Sequence, residues 1–279
     1  MQKGTIALDI DGTITNREHR IPGEVIAYFE TLHEEGWQLI FVTGRAFSFA
    51  AWTLSTLPFP FLLGVQNGAD LLEMPSKKRV GRAYLGMETI EKLEKKCEEG
   101  DFIVYAGLDH GDLCYYRPDR FSEEMRAYLK KVEAFSDAPW KPVETFQMEE
   151  QDAFPLIKYI GTKEALERFQ KELEEIPEIK TSLIKDPIDP SLHLILITSI
   201  EADKGKAALT FMEKYQLRRP LIVGGDDNND LPLLKVGDVR IKMKGAPDML
   251  KPYADITAPP SEQMGIIQGL KEGIKRCMK

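Results

Sequence analysis

Acidic, hydroxyl and basic side chains occur at the ends of apolar segments that are typical of buried strands. Asp9 and Asp11 follow directly on one apolar run, and a second acidic group, residues 226–230, follows another. Thr43 follows a third run, and Lys204 lies at the start of a predicted helix. Carboxylates that could converge on a divalent cation, together with a hydroxyl and an ammonium group, are what magnesium-dependent phosphoryl transfer requires. The sequence therefore points first to that chemistry.

Asp9 and Asp11 are spaced to act together at the end of the first predicted strand. Residues two apart in a strand project to the same side, so both carboxylates can turn toward one cleft at its carboxyl end. That edge is where parallel α/β sheets bind their ligands. Gly12 allows the backbone to approach a ligand closely, and Thr13 offers a hydroxyl hydrogen bond. A capping or turn pair of aspartates and the Asp-x-Asp site of a metal-dependent glycosyltransferase are the alternatives at this point.

The loop after the apolar run 221–223 is the densest acidic group behind any predicted strand. It places Asp226, Asp227, Asn229 and Asp230 directly after two glycines. Carboxylates this close repel one another, and a bound divalent cation relieves that repulsion. A polar loop that caps the next helix is the alternative, but four such residues at one strand end favour a metal site.

Thr43 and Lys204 could supply the hydroxyl and the positive charge. Thr43 and Gly44 stand between a predicted strand and a predicted helix, where hydroxyl and backbone N–H groups can bind an anion. Lys204 lies at a helix start, which the helix dipole makes unfavourable for a cation, and this favours a specific role. Lys206, two residues further along, is expected to face elsewhere. Taken alone, the threonine is also typical of a turn, and the lysine of a solvated surface.

Alternating strand and helix patterns predict how these groups are brought together. Residues 1–75 alternate short apolar runs with helical patterns, and the same texture returns in residues 199–279. Strand–helix–strand order gives a parallel sheet with right-handed crossovers. Residues 76–198 instead carry strands with polar alternation, which is typical of an antiparallel sheet with one exposed face. We therefore predict an α/β fold: a doubly wound parallel-sheet core, discontinuous in sequence, with an inserted α+β domain at 76–198.

Composition limits the classes of function. The chain has 279 residues and a formal charge of −8, which argues against a surface built to bind nucleic-acid phosphates. Its three cysteines share no metal-type spacing, and no apolar run approaches the roughly 20 residues of a membrane span. We expect no signal segment, no nucleic-acid or membrane partner, and a cytoplasmic location. The four histidines share no ligand spacing and make no case for catalysis.

The motifs, taken in order, resemble those of haloacid dehalogenase superfamily phosphatases, and within them the Cof-type hydrolases and related sugar phosphatases. The first family motif, Asp-x-Asp-Gly-Thr, matches Asp9–Thr13, and the second, a threonine at a strand end, matches Thr43. The third, a lysine, matches Lys204, and the fourth, Gly-Asp-x-x-Asn-Asp, matches Gly225–Asp230. The resemblance implies a Rossmann-like core and an inserted α/β cap that determines substrate specificity.

The resemblance also implies a reaction through a phosphorylated aspartate. Asp9 would attack phosphorus and form an aspartyl phosphate, while Asp11 would protonate the leaving alcohol and then deprotonate water. Thr43 and Lys204 would hold the phosphoryl oxygens and offset their charge. The residues so implied to contact phosphate are Asp9, Gly12, Thr43, Gly44, Lys204 and Asn229.

Magnesium is the cofactor that the resemblance implies. The carboxylates of Asp9 and Asp226 and the backbone carbonyl of Asp11 would bind it, with Asp230 in support through water or from behind the ligands. Asn229 would orient Lys204 or the waters on the metal.

The resemblance thus predicts an enzyme, a phosphoric monoester hydrolase acting on a small phosphorylated metabolite. A sugar phosphate is the first expectation for the substrate, and phosphorylated cofactors such as pyridoxal phosphate or flavin mononucleotide come next. A phosphomutase or phosphotransferase of the same superfamily could share every motif, and a non-catalytic relative could keep the metal and phosphate site. A glycosyltransferase would leave Lys204 and the acidic loop without a role.

Overall fold

The chain forms two compact units in the computed structural model. The described residues are 2–97, 100–107, 113–134, 139–147, 153–186, 188–189 and 191–277. The first unit, here the core unit, comprises Met1–Ala46, Ala50–Gly81 and Asp203–Lys279. The second, here the inserted unit, comprises Phe47–Phe49 and Arg82–Ala202.

Two sheets account for the strands in the described part of the chain. The strands are β1 Gly4–Leu8, β2 Trp37–Val42, β3 Phe61–Val65, β4 Asp70–Met74, β5 Lys78–Arg82, β6 Phe102–Tyr105, β7 Cys114–Tyr116, β8 Trp140–Pro142, β9 Leu156–Gly161, β10 Ile179–Lys185, β11 His193–Ser199, β12 Leu221–Gly225, β13 Val239–Met243 and β14 Ile256–Ala258. One sheet has eight strands and belongs to the core unit, and the other has six and belongs to the inserted unit.

Short helices connect these strands. The α-helices are α1 Gly23–Glu34, α2 Phe47–Leu54, α3 Met87–Glu94, α4 Glu123–Ala134, α5 Lys163–Leu173, α6 Lys204–Lys214, α7 Leu231–Val236 and α8 Gly265–Cys277. Even α8, with 13 residues, is short. Among the described residues no helix combines the length and the apolar character that a membrane span requires.

The core sheet is doubly wound around β1, as the alternating patterns predicted. Its strand order is β14-β13-β12-β1-β2-β3-β4-β5, and the six strands from β14 to β3 run parallel. All five residues of β1 are buried, which explains its continuous apolar run. The chain winds outward from β1 in both directions, so the carboxyl ends of β1, β2 and β12 meet at one edge. In sheets of this kind that edge is where ligands bind.

Helices cover both faces of the core sheet. On one face α6 and α7 contribute Phe211 and Leu233 to an apolar cluster with Ala7 and Val223 of the central strands. On the other face α8 approaches so closely that a β-carbon at Gly273 would lie 3.5 Å from the Ile222 side chain. This two-sided packing fixes the strands whose ends carry the predicted functional residues.

The inserted unit is built on a mostly antiparallel sheet. Its strand order is β10-β11-β9-β6-β7-β8, and neighbouring strands pair antiparallel except for the parallel pair of β7 and β8. α3 and α5 pack on one face through an apolar cluster that includes Leu93, Phe102, Phe169 and Ile195. The prediction of an α/β fold with a second, antiparallel sheet domain is confirmed.

The boundaries of the insertion differ from the predicted 76–198. Residues up to Gly81 belong to the core unit, because β5 extends the core sheet beside β4. Residues 199–202 belong to the inserted unit, because Ser199 still pairs with Ile179 and the N–H of Ile200 donates to the carbonyl of Glu178. The chain therefore leaves and re-enters the core at 81/82 and 202/203. Both boundaries depend on pairing with an edge strand, β5 in one sheet and β10 in the other, and the hydrophobic pattern of the sequence does not show where such pairing ends.

Phe211 tests how strongly α6 is held on the core sheet. Its ring is fully buried, so Phe211→Ala is expected to lower the free energy of unfolding by about 3–5 kcal/mol through lost burial and a residual cavity. Leu209→Ala on the same helix is the control, because that side chain is 38% exposed and should cost less than about 1 kcal/mol. Urea titration of both variants measures the difference, and equal costs would contradict this packing.

Candidate active site

Asp9 lies where the central strand of the core sheet ends. Its N–H donates to the carbonyl of Gly224 at 3.0 Å, so the residue is still fixed by the pairing of β1 with β12. The side chain is buried, with 4% of the residue exposed. Its Oδ1 accepts a hydrogen bond of 2.6 Å from the Nζ of Lys204, almost 200 residues further along the chain. The sequence motifs at the two ends of the chain therefore meet at one atom.

Lys204 is a fully buried cation at the first turn of α6. Asp203 caps this helix by accepting from the N–H of Lys206, and the lysine Nζ donates to Asp230 Oδ1 as well as to Asp9, each at 2.6 Å. Although burial alone would lower the pKa of Lys204, the two carboxylates raise it above its ordinary value, so the group stays charged. Two of the three ammonium hydrogens are used in this way, and one is left for another acceptor. Lys206, which was expected to face elsewhere, is exposed.

Asp230 positions the lysine and shapes the acidic loop. It is fully buried, and its Oδ2 accepts from the backbone N–H groups of Asp226 and Asp227 at 2.8 and 3.0 Å. A β-carbon at Gly225 would lie 2.5 Å from Asp230, so only glycine allows the chain to fold back here. Asp227 caps the following turn by accepting from the N–H of Asn228. Both oxygens of Asp230 thus accept hydrogen bonds from the protein, which suits a residue that positions the metal ligands rather than one that only binds the metal.

Asp226 faces the loop that carries the first motif. Its Oδ1 accepts a long hydrogen bond of 3.4 Å from the Thr13 hydroxyl. A β-carbon at Gly12 would lie 2.0 Å from Asp226 Oδ2, and Gly12 has a φ of +66° that other residues rarely adopt. The glycine therefore lets the first and fourth motifs approach to contact distance.

Three carboxylates and one ammonium group leave this cluster with excess negative charge. Asp9, Asp226 and Asp230 each offer an oxygen, and these atoms lie within 4.8 Å of one another. Burial, together with repulsion from Asp230, raises the pKa of Asp9 above its ordinary value and that of Asp226 to about 7. Carboxylate oxygens are the donors that hard divalent cations prefer, and a cation here would offset the repulsion. The residues present therefore fit a divalent metal.

Thr43 and Gly44 form a second polar loop, which is braced by the loop after β3. The Thr43 hydroxyl accepts from the N–H of Arg45 at 3.1 Å, while its carbonyl accepts from the N–H of Asn67 at 2.8 Å. Asn67 Oδ1 in turn accepts from Asn229 Nδ2 at 3.1 Å. A β-carbon at Gly44 would lie 3.3 Å from the Asn67 side chain, so these residues line one small region. Asn229, which was expected to orient Lys204 or the waters on the metal, donates to Asn67 in the structure.

Asp11 is held apart from the carboxylate cluster. Arg45 donates to both of its oxygens, through Nε to Oδ2 at 2.5 Å and through Nη2 to Oδ1, and His19 Nδ1 lies 3.1 Å from Oδ1. Although burial opposes it, hydrogen bonds from Arg45 and His19 hold the pKa of Asp11 below its ordinary value. The prediction that Asp11 binds metal therefore depends on its backbone carbonyl alone, because its carboxylate is not in the group of three.

Sequence reasoning missed three residues at this site. Arg45 directly follows Thr43 and Gly44 but had been given no role, and Asn67 follows β3 without one. His19 was set aside with the other histidines because they share no ligand spacing. In the structure it contacts Asp11, eight residues away along an irregular loop. A charged or amide side chain within three residues of a strand end is the signal that could have identified Arg45 and Asn67.

A family model for haloacid dehalogenase-like hydrolases matches residues 6–270. The match extends from β1 to α8 and includes all four motifs. The chain therefore belongs to the haloacid dehalogenase-like hydrolase family, and the expectation of a hydrolase of this family is confirmed.

Similar proteins cover the chain almost from end to end. A phosphoglycolate phosphatase of Nitrosopumilus maritimus is 26% identical over 277 residues, which is 97% of this chain and 96% of the relative. The 5-amino-6-(5-phospho-D-ribitylamino)uracil phosphatase YwtE of Bacillus subtilis is 22% identical, with 94% of each chain covered. A solved haloacid dehalogenase-like hydrolase of B. subtilis superposes with a TM-score of 0.77 at 19% identity, covering 96% of this chain and 99% of the other. The likeness in structure supports the fold.

The buried ion pairs of Lys204 are expected to contribute to stability. Lys204→Met removes the ammonium and leaves Asp9 and Asp230 facing each other in a buried site, which should cost about 3–5 kcal/mol in the free energy of unfolding. Lys206→Met, an exposed position on the same helix, should change it by less than about 0.5 kcal/mol. Denaturant titration at neutral pH measures both. A Lys204→Met protein as stable as the control would show that the lysine does not hold the two carboxylates together.

Proposed function

We propose that the protein is a magnesium-dependent phosphatase that hydrolyses a small phosphorylated metabolite through an aspartyl phosphate on Asp9. The observation that carries this proposal is the contact of Asp9 with Lys204 at the carboxyl edge of the core sheet, beside the carboxylates of Asp226 and Asp230. Membership of a hydrolase family and the phosphatase names of its relatives support the same reading.

In the first step Asp9 acts as the nucleophile. One of its carboxylate oxygens forms a bond to phosphorus while the bond from phosphorus to the ester oxygen breaks, and the electron pair stays on the leaving oxygen. A nucleophile must be ionised, and Lys204 opposes the effect of burial on the Asp9 pKa. The remaining ammonium hydrogen of Lys204 and the Thr43 hydroxyl would donate to phosphoryl oxygens as negative charge moves onto them.

Asp11 transfers the protons. Once protonated, Asp11 gives its proton to the leaving oxygen and releases an alcohol. The resulting carboxylate, which is the form that the hydrogen bonds from Arg45 and His19 favour, then takes a proton from water. The water oxygen forms a bond to phosphorus as the bond to Asp9 breaks, which releases inorganic phosphate and restores both aspartates. Gly12, Gly44 and Asn229 would complete the surroundings of the phosphoryl group, since all three lie beside the groups that act on it.

Magnesium would be held by the carboxylates of Asp9 and Asp226 and the backbone carbonyl of Asp11, with Asp230 supporting them. When bound, it supplies positive charge next to the phosphoryl oxygens and reduces the repulsion between an aspartate and a phosphate dianion. Several hard oxygen donors and the absence of histidine or cysteine from the described acidic group favour magnesium over softer metals.

A sugar phosphate is the proposed substrate class. By their names, one relative is a phosphatase of phosphoglycolate and the other a phosphatase of 5-amino-6-(5-phospho-D-ribitylamino)uracil, and both of these are small molecules. The net charge of −8 also favours a small metabolite over a polyanionic macromolecule. We further propose that the inserted unit contributes to the choice of substrate, and that the enzyme acts in the cytoplasm.

Asp9→Asn is expected to reduce phosphate release to background, because an amide cannot form the acyl phosphate. The experiment measures inorganic phosphate from a panel of sugar, cofactor and nucleotide monophosphates in the presence of magnesium. Asp248→Asn, an acidic residue on a separate turn of the core unit, is the matched control and should retain the wild-type rate. Near-normal turnover by folded Asp9→Asn protein would refute the nucleophile, and a phosphorylated product without free phosphate would point to a mutase.

Magnesium is expected to stabilise the folded protein through Asp226. At 100 times its dissociation constant a ligand adds about 2.7 kcal/mol to the free energy of unfolding, which is readily seen as a rise in melting temperature. Asp226→Asn should lose most of this rise, whereas Asp227→Asn should keep it, because an asparagine at 227 can still cap the following turn. The same rise in both variants, or full activity in excess chelator, would contradict the proposed metal site.

A further inference from the structure

The carboxylate of Asp11 is fixed by a second group of residues, separate from the Lys204 cluster. The Arg45 guanidinium meets it in a two-point contact, with Nε 2.5 Å from Oδ2 and Nη2 against Oδ1. His19 Nδ1 lies 3.1 Å from both Asp11 Oδ1 and Arg45 Nη2. Whether His19 donates to the carboxylate or accepts from the guanidinium, it closes the same ring of contacts.

Arg45 is itself held from several sides. Its side chain is only 5% exposed, while that of Asp11 is 43% exposed. Nη1 donates to the Thr53 hydroxyl, which donates in turn to the carbonyl of His19 at 3.3 Å. The Arg45 backbone is bonded to Thr43 and to Gln66. The guanidinium is therefore the fixed partner of the pair, and the carboxylate is the partner whose orientation it determines.

A two-point contact determines more than charge. A guanidinium fork fixes the plane and the rotation of the carboxylate that it binds, whereas a lysine would supply only a point charge. An aspartate that transfers a proton must present one oxygen within hydrogen-bond reach of the reacting atom. A half-exposed Asp11 without this contact would sample several rotamers, and each would lower the fraction of productive encounters.

We propose that Arg45 is a positioning residue for Asp11, holding the proton-transferring carboxylate in one orientation through the two-point contact, with His19 and Thr53 keeping the pair in register. This inference rests on the proposed phosphatase. Arg45 gives up no proton and forms no bond to substrate in this role. The proton moves from Asp11 to the leaving oxygen in the first step and from water to Asp11 in the second.

The test compares two esters whose leaving groups need the proton to different extents. Aryl phosphates such as p-nitrophenyl phosphate release a stable anion, whereas alkyl phosphates such as glycerol phosphate depend on protonation of the leaving oxygen. The quantity measured is kcat/KM, which covers the steps up to formation of the phosphorylated aspartate. With the alkyl ester, Arg45→Ala should lower kcat/KM by about 100-fold, which is the scale of lost general acid catalysis. With the aryl ester the factor by which kcat/KM falls should be at least about 10 times smaller.

A double-mutant cycle with Asp11→Asn separates positioning from other roles. If Arg45 acts through Asp11, Arg45→Ala should have little further effect in the Asp11→Asn background. Arg45→Lys keeps the charge but loses the fork, so it should fall between the wild type and Arg45→Ala. It also serves if the alanine variant does not fold. Arg240→Ala, which removes a similar two-point contact to Asp255 elsewhere in the core unit, should leave the ratio of the two rates unchanged.

Equal losses with both esters, or losses that add fully to those of Asp11→Asn, would overturn the proposal. Such results would place Arg45 in phosphate binding or in fold stability instead. They are distinct from a failure of the proposed function, which would appear as no phosphate release by the wild-type protein from either ester.

Discussion

The site depends on one buried interaction, in which the Lys204 ammonium lies between Asp9 and Asp230. A buried lysine without partners is destabilising by several kcal/mol, so the fold must bring both carboxylates to it. The Asp9 carboxylate comes from the end of β1, and the Asp230 carboxylate comes from the loop after β12. The lysine comes from the start of α6. These elements become neighbours only because the chain winds in both directions from the central strand. The topology of the core is thus the means by which distant motifs reach hydrogen-bond distance.

The same interaction sets the chemistry available to the cluster. Lys204 offsets part of the charge on three close carboxylates, and the remainder favours a divalent cation. For the carboxylates to lie this close together, the backbone of the first motif must approach the Asp226 side chain. Glycine permits this at Gly12, where any side chain would collide with Asp226. Asp11 is handled differently, since Arg45 holds it away from the cluster. Two aspartates only two residues apart in sequence therefore have different partners, as the proposed roles of nucleophile and proton donor require.

The positions of the main site residues can be predicted from the sequence, because the ends of the buried strands can be predicted. Apolar runs locate β1, β2 and β12, parallel pairing brings their carboxyl ends to one edge, and the motif residues follow directly. Lys204, whose position at a helix start is unfavourable for a cation, is buried and paired with two carboxylates rather than solvated. The edge strand β5 was missed, and with it the boundary at 81/82, because pairing at an edge leaves little periodicity. The contact of His19 with Asp11 depends on an irregular loop, whose path no local pattern describes.

Transfer of the phosphoryl group to Asp9 can be tested by trapping the acyl phosphate. Borohydride reduces an acyl phosphate to an alcohol, so quenching the enzyme during turnover and adding borohydride should convert residue 9 to homoserine. Peptide mass spectrometry identifies the site, with Asp11 and Asp226 as internal controls in the same digest. We expect homoserine at position 9 only when substrate is present. Phosphate release without reduction at Asp9, or with reduction at another aspartate, would contradict it.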